Sequence, residues 1–172
     1  MLVSKLENNE LLFNQLLAYE SQAGSHYNDD FRKQRGSLRE IKTFYLATIG
    51  DVEKSKFNEP YRHPAINLLQ DVVSKLGKTV DDIHYAYYAI IPPNKQIYPH
   101  ADVEQYYRKI NRYQIFFNLT EDQEIMQIGN DSESNSLVLF NTIKPHGFNN
   151  KSSTMPWYFV VFDIYKDVIQ KA

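Results

Sequence analysis

The sequence predicts an α+β fold, helical over its first 80 residues and built of short antiparallel strands after them. Three observations carry this. Apolar residues recur at helical spacing early in the chain, aromatic and β-branched runs broken by turn formers fill the remainder, and no helix-length pattern alternates with those runs as a parallel βαβ sheet requires. From Leu6 to Leu17 the apolar positions Leu6, Leu11, Leu12, Phe13, Leu16 and Leu17 form an amphipathic helix, with Ser4 offering a start. Ala23 to Gly36 is polar and glycine-bearing, so it reads as loop, and Ser37 to Thr48 is a second structured stretch ending at Gly50. His63-Pro64 opens another helix, in which Ile66, Leu68, Leu69, Val72, Val73 and Leu76 make one stripe before Gly77 ends it. Strands are then expected at Ile83 to Ile91, Gln96 to Pro99, Asn111 to Leu119, Glu124 to Ile128, Ser136 to Phe140 and Trp157 to Tyr165, with turns at Pro92-Pro93-Asn94 and Gly129-Asn130-Asp131. Six short strands of this kind suggest an antiparallel sandwich or barrel.

Size and composition limit what this fold can do. With 172 residues, 42% of them hydrophobic, the chain suits one domain over residues 1–172, in which a helical segment, residues 1–80, packs on a β core, residues 81–172. The 19 basic and 21 acidic residues nearly cancel, which leaves no cationic surface for nucleic acid or an acidic membrane; small-molecule, peptide or protein substrates fit better. No cysteine is present, so disulfides, thiolate metal sites and cysteine nucleophiles are excluded, and histidine and carboxylate are the strong metal ligands that remain. Met1 leads into a polar stretch without the apolar core of a signal peptide, so a cytoplasmic location is expected, and in that setting the glycosylation-type triplets at Asn118 and Asn150 carry no meaning. No apolar run approaches the roughly 20 residues of a membrane span.

The chemistry lies in the second half. In Ile97-Tyr98-Pro99-His100-Ala101-Asp102, two metal-capable side chains stand two residues apart at a strand end, where a period of two puts them on one face. His146 follows in Phe140-Asn141-Thr142-Ile143-Lys144-Pro145-His146, ahead of the final apolar strand. Two histidines and one carboxylate on one face of an octahedron leave positions open for a keto acid and dioxygen, the arrangement of a non-haem iron centre. An isolated His-x-Asp pair is more often a surface histidine beside a solvated aspartate; strand placement and the later histidine set this one apart. The other histidines have plainer readings: His26 in a polar loop, His63 flanking a helix, and His84 at a strand start with no carboxylate two residues on. Arg112 heads the strand Arg112-Tyr113-Gln114-Ile115-Phe116-Phe117, where its planar fork suits a carboxylate of substrate or cosubstrate, or else a local glutamate or solvent. Arg108 and Lys109 read as solvated loop charges.

Three blocks in order, Ile97 to Asp102, Asn111 to Asn118, and Phe140-Asn141-Thr142 to His146 with Asn149 and the closing Tyr158-Phe159-Val160-Val161-Phe162-Asp163, resemble the iron(II) and 2-oxoglutarate-dependent oxygenases. Within them the chain is similar to the aspartyl/asparaginyl β-hydroxylase-like branch, which includes some proline hydroxylases, over about Ile83 to Val168. The resemblance implies a double-stranded β-helix, a cupin-like jelly roll, with Fe(II) on His100, Asp102 and His146 and with 2-oxoglutarate as cosubstrate. It further implies Arg112 as the catalytic and cosubstrate-binding arginine, Tyr98, Asn149 and Trp157 beside the cosubstrate, and Tyr87 as a further wall. The activity implied is that of an oxidoreductase, a dioxygenase hydroxylating an amino-acid residue, free or in a peptide or protein. One position departs from the pattern: where the family carries a basic residue beyond the distal histidine, this chain has Pro156 and Trp157, leaving Arg112 and Lys144 as candidates to clasp the far carboxylate of 2-oxoglutarate. Two alternatives stay open, a non-catalytic relative that keeps the barrel as a structural or protein-binding module and a cupin-like metalloenzyme that does not use 2-oxoglutarate. Substrate choice is expected on loops near Tyr27 to Arg35 and Gln105 to Lys109.

Overall fold

A computed structural model describes residues 1–7, 9–23, 41–48, 60–102, 105–117, 121–127 and 136–167. In chain order they form β1 (Leu2–Lys5), α1 (Asn9–Ala23), β2 (Lys42–Thr48), β3 (Tyr61–Arg62), a 3-10 turn at Pro64–Leu69 running into α2 (Gln70–Ser74), then β4 (Ile83–Ile91), β5 (Gln96–His100), α3 (Gln105–Lys109), β6 (Ile110–Phe117), β7 (Gln123–Gln127), β8 (Ser136–Phe140), β9 (His146–Asn150) and β10 (Trp157–Tyr165). The expected loop at 24–36, the start of the stretch at 37–40, Gly50 and the turn at 129–131 lie outside the described residues.

Seven strands pair antiparallel in the order β1-β8-β6-β10-β4-β2-β3, and three more pair antiparallel as β5-β9-β7. Two facing sheets with strands alternating between them make the jelly roll. The first 80 residues are therefore not only helical, since β1, β2 and β3 extend the large sheet at its two edges. Ser4 lies in β1 rather than at a helix start: Leu2, Ser4 and Lys5 pair with Val138, Leu137 and Ser136, and the helix begins at Asn9. An open sheet edge recruits a short apolar segment more readily than a local helix period can hold it.

Strand alternation gives the large sheet two apolar faces. Its outer face carries Phe44, Leu46, Tyr88, Ile115, Phe117, Val160 and Phe162, and on it pack Leu12, Leu16 and Tyr19 of α1 with Ile66, Leu69, Val72 and Val73 of the 3-10 turn and α2. His63 caps that turn, its Nδ1 accepting from the Ala65 amide at 3.1 Å, and Gly77 closes α2 at φ 68. There the Gly77 amide donates to the Ser74 carbonyl and the Lys78 amide to the Val73 carbonyl, the paired bonds of a glycine C-cap. The inner face carries Ala89, Ile91, Phe116, Phe140, Trp157, Phe159 and Val161, packed against Ile97 and Phe148 of the small sheet. Along β6, β10 and β4 that face ends in the row Arg112, Asp163 and Tyr85, where apolar packing gives way to charge.

Candidate metal centre

A β-bulge builds the site. On the small sheet Ile97 pairs with Phe148 and His100 with His146, so Tyr98 and Pro99 of β5 stand opposite the single residue Gly147 of β9. Regular alternation would send Ile97 and His100 to opposite faces; the extra residue resets the phase and brings His100 to the face that His146 shares with buried Phe148. Gly147 makes the bulge possible, because a Cβ there would stand 2.7 Å from the Ile97 carbonyl oxygen and 2.8 Å from the Pro99 nitrogen. Beyond β5, the Asp102 amide donates to the Thr142 carbonyl at 2.7 Å, which ties the segment carrying Asp102 to the turn before His146.

His100, Asp102 and His146 each offer one ligand atom, and these atoms lie within 4.8 Å of one another. The Nε2 atoms of His100 and His146 stand 3.7 and 3.6 Å from the two oxygens of Asp102. Each imidazole is oriented from behind: Nδ1 of His100 meets the Tyr98 carbonyl at 2.9 Å and Nδ1 of His146 the Lys144 carbonyl at 2.8 Å. A carbonyl only accepts, so both Nδ1 atoms carry a proton, and in a neutral ring this leaves the Nε2 lone pair for a metal. Burial pushes His146 below its ordinary pKa, against smaller opposing effects of the Lys144 carbonyl and Asp102, which favours the neutral, ligating form. His100 is 43% exposed and Asp102 16%, so the site opens to solvent on the His100 side.

Arg112 stands at the floor. Nε and Nη2 donate to the two oxygens of Asp163, both at 2.8 Å, across the β6–β10 pair in which these residues are direct partners. Nη1 is left 4.0 Å from Asp102 Oδ2. Burial opposes the arginine's charge and Asp163 outweighs it, holding its pKa well above the usual value. The Tyr106 hydroxyl of α3 donates to Asp163 Oδ2 at 2.7 Å, His84 meets that hydroxyl at 3.1 Å, and Tyr107 and Tyr85 flank the guanidinium at 5.1 and 5.9 Å. Nothing in the sequence marks Asp163 as the arginine's partner; the strand period of two reveals it only once β6 and β10 are known to be neighbours.

The remaining sequence-predicted residues scatter. Trp157 is fully buried in the inner core, 5.9 Å from both Phe116 and Phe148 between ring centroids. Tyr87 is half-buried on the inner face, edge-on to Phe159. Tyr98 is 58% exposed in the bulge, and Asn149 lies on the strand face alternate to His146 and Phe148, between Gln96 and Glu124. Lys144 is exposed on the turn before β9, and Arg108 and Lys109 end the short helix α3 in solvent. His84 holds no position near the trio but stacks on Tyr165 at 3.8 Å.

The donor set fits iron: two imidazole nitrogens and one carboxylate converge and leave the remaining coordination positions open. For 2-oxoglutarate the far carboxylate needs donors, and among the described inner-face residues Arg112, already committed to Asp163, is the one cation. Thr43 Oγ1 and Trp157 Nε1 are buried and make no hydrogen bond, a cost that a bound carboxylate would remove. Thr43 lies on β2 opposite Ala89, in a stretch with no sequence motif to mark it.

Comparison of the sequence with known protein families and with curated proteins gives no match in either case. Comparison of the fold with solved structures does. A prolyl-4-hydroxylase of Pseudomonas putida aligns at TM-score 0.57 and 13% identity over 95% of this chain and 90% of that one. A viral collagen prolyl hydroxylase of Paramecium bursaria Chlorella virus-1, solved as a 2OG complex, aligns at 0.51 and 10% over 95% of each. A 2OG-Fe(II) oxygenase family oxidoreductase of Burkholderia pseudomallei aligns at 0.53 and 11% over 87% of this chain and 77% of that one. At these identities the likeness is one of fold, and it agrees with the jelly roll of the two sheets.

Proposed function

We propose that this chain is a mononuclear non-haem iron oxygenase that uses 2-oxoglutarate to hydroxylate an amino-acid residue, free or within a peptide or protein. The observation that carries it is the convergence of His100, Asp102 and His146 within 4.8 Å on a fold shared with prolyl hydroxylases. Bound Fe(II) with a keto acid supplies activation of dioxygen sufficient to oxidise an unactivated C–H bond. The protein's task is to hold and exclude: the carbonyls of Tyr98 and Lys144 fix the imidazoles, the aromatic core beneath His146 keeps water from the inner side, and Thr43 and Trp157 offer hydrogen bonds to the far carboxylate. Two of the three fold neighbours act on proline by their names, and the sequence blocks resemble the aspartyl/asparaginyl branch; an amino-acid side chain is what these have in common. Among the described residues no helix is long and apolar enough to cross a membrane.

Anaerobic titration with Fe(II) and then 2-oxoglutarate tests this through the weak visible charge-transfer band of the chelate. The band is expected, and Thr43→Val should raise the 2-oxoglutarate concentration needed to reach it while leaving iron uptake unchanged. Iron uptake without the band overturns the 2-oxoglutarate assignment and favours the second reading, a cupin-like iron enzyme that takes no keto acid, which the lack of a free cation on the described inner face supports.

A further inference from the structure

An arginine 4.0 Å from a metal-binding carboxylate is a rival to the metal. Arg112 is only 8% exposed, so its charge has little access to bulk water, and a buried guanidinium favours a two-pronged pair with a nearby carboxylate. Asp102 is near enough to be that carboxylate. What prevents it is Asp163, fully buried, which occupies both Nε and Nη2 at 2.8 Å and so fixes the plane of the guanidinium. Asp163 is in turn held by the Tyr106 hydroxyl at 2.7 Å and by its place opposite Arg112 in the β6–β10 ladder, while Tyr107 and Tyr85 flank the guanidinium. In this pose Nη1 stands 4.0 Å from Asp102 Oδ2, beyond hydrogen-bond reach.

We propose that Asp163 is a positioning residue of the metal centre: by taking two donors of Arg112 it keeps the arginine from forming an ion pair with Asp102, and so keeps Asp102 available to a divalent cation. The inference rests on reading His100, Asp102 and His146 as metal ligands. It assigns to a buried charge pair a role that stability alone does not require, since an apolar pair of similar size would cost the fold less.

Co(II) binding to the full chain, read by its visible d–d absorption and by calorimetry, tests it without reference to turnover. Asp163→Asn should weaken Co(II) binding about tenfold or more, in the range typical of residues that orient metal ligands. Adding Arg112→Gln in the same chain removes the rival along with its restraint and should return affinity to within about threefold of the parent, a recovery that a merely structural role would not give. Tyr106→Phe takes the hydroxyl donor from Asp163, and with it the contact to His84, leaves Asp163 paired with Arg112, and should weaken binding about threefold, the lower end of such effects; this variant decides the matter should Asp163→Asn alone fail to fold. Unchanged affinity in Asp163→Asn or, where that chain does not fold, in Tyr106→Phe overturns the proposal, as does a double variant that binds no better than Asp163→Asn. A parent chain that takes up no Co(II) overturns the metal reading as well, so the two failures are distinguishable.

Discussion

The two faces of strand β10 are built from the same nine residues and treat burial differently. Outward, Tyr158, Val160, Phe162 and Ile164 lie under α1 and the 3-10 turn with α2, among apolar and aromatic groups. Inward, Trp157, Phe159 and Val161 continue that pattern until Asp163 breaks it, fully buried and paired with Arg112. The outer face has one task, removing apolar area from water, so its residues are interchangeable within the limits of volume. At the Asp163 end the inner face meets the open mouth of the jelly roll, where the fold spends stability on a charged floor beneath His100, Asp102 and His146. Structure and function are thus separated by side of a sheet and by distance along a strand, and substitutions on the two sides should dissociate.

The largest separation should come from the ligands. His146→Ala is expected to weaken Co(II) binding by more than the roughly 10- to 100-fold that changes behind the ligands bring about, with the folded chain retained by circular dichroism. Its outward counterpart, Phe162→Ala, removes a fully buried ring stacked on Tyr113 at 5.2 Å and should cost about 3–5 kcal/mol in denaturant unfolding while leaving the Co(II) dissociation constant of the folded protein unchanged. If Phe162→Ala lowers metal affinity as much as stability, the two faces are coupled and the comparison fails. Gly147→Ala falls between them. Its methyl group would press on the Ile97 carbonyl and the Pro99 nitrogen, so the bulge must shift and carry His100 with it; a loss of about tenfold in Co(II) affinity is expected, with a stability loss of only about 1–3 kcal/mol, the ordinary cost of overpacking. An unaltered affinity would show that the bulge does not set the position of His100.

How much of this was legible in the sequence follows the range of the interactions concerned. The strands Ile83–Ile91, Ser136–Phe140 and Trp157–Tyr165 have the expected bounds because their runs of aromatic and β-branched residues are bounded by turn formers, a local signal. The convergence of the trio was legible in part because His100 and Asp102 are local and a further metal-capable side chain, His146, follows ahead of the final strand. Strand alternation does not account for the pair, since β5 ends at His100 and Asp102 lies beyond it, and the bulge at Tyr98 and Pro99 is what turns His100 inward. That bulge depends on Gly147, far along the chain. Asp163 and Thr43 were not legible for the same reason: their meaning lies in cross-strand partners, Arg112 and Ala89, and sheet order is not written in the spacing of either strand. Strand β9 shows no run of strand formers, since apart from Phe148 its residues are polar or small, and it is held as the rung joining β5 to β7 rather than by its own propensity.

The smallest expected effect concerns protons. His84 and His146 are both pushed below the ordinary histidine value of 6.5, in each case chiefly by burial, although Asp163 pulls the first upward and the Lys144 carbonyl the second. A lowered native value means that, as pH falls through about 6.5, the unfolded chain takes up protons that the folded chain refuses. Stability from these two groups is therefore present in full above 6.5 and is lost as pH falls from there toward their native values. In chain freed of metal by chelator, the unfolding free energy should be level from about pH 8 to 7 and decline below 6.5. His84→Phe keeps a ring to stack on Tyr165 and should remove some of that decline, whereas His146→Ala should remove the rest. Saturating Co(II) should steepen the decline in the parent, because a ligating imidazole must shed its proton, and should not do so in His146→Ala. A metal-induced steepening that persists in His146→Ala would show that the cation sits elsewhere, and would detach the charged inner end of the sheet from the chemistry assigned to it.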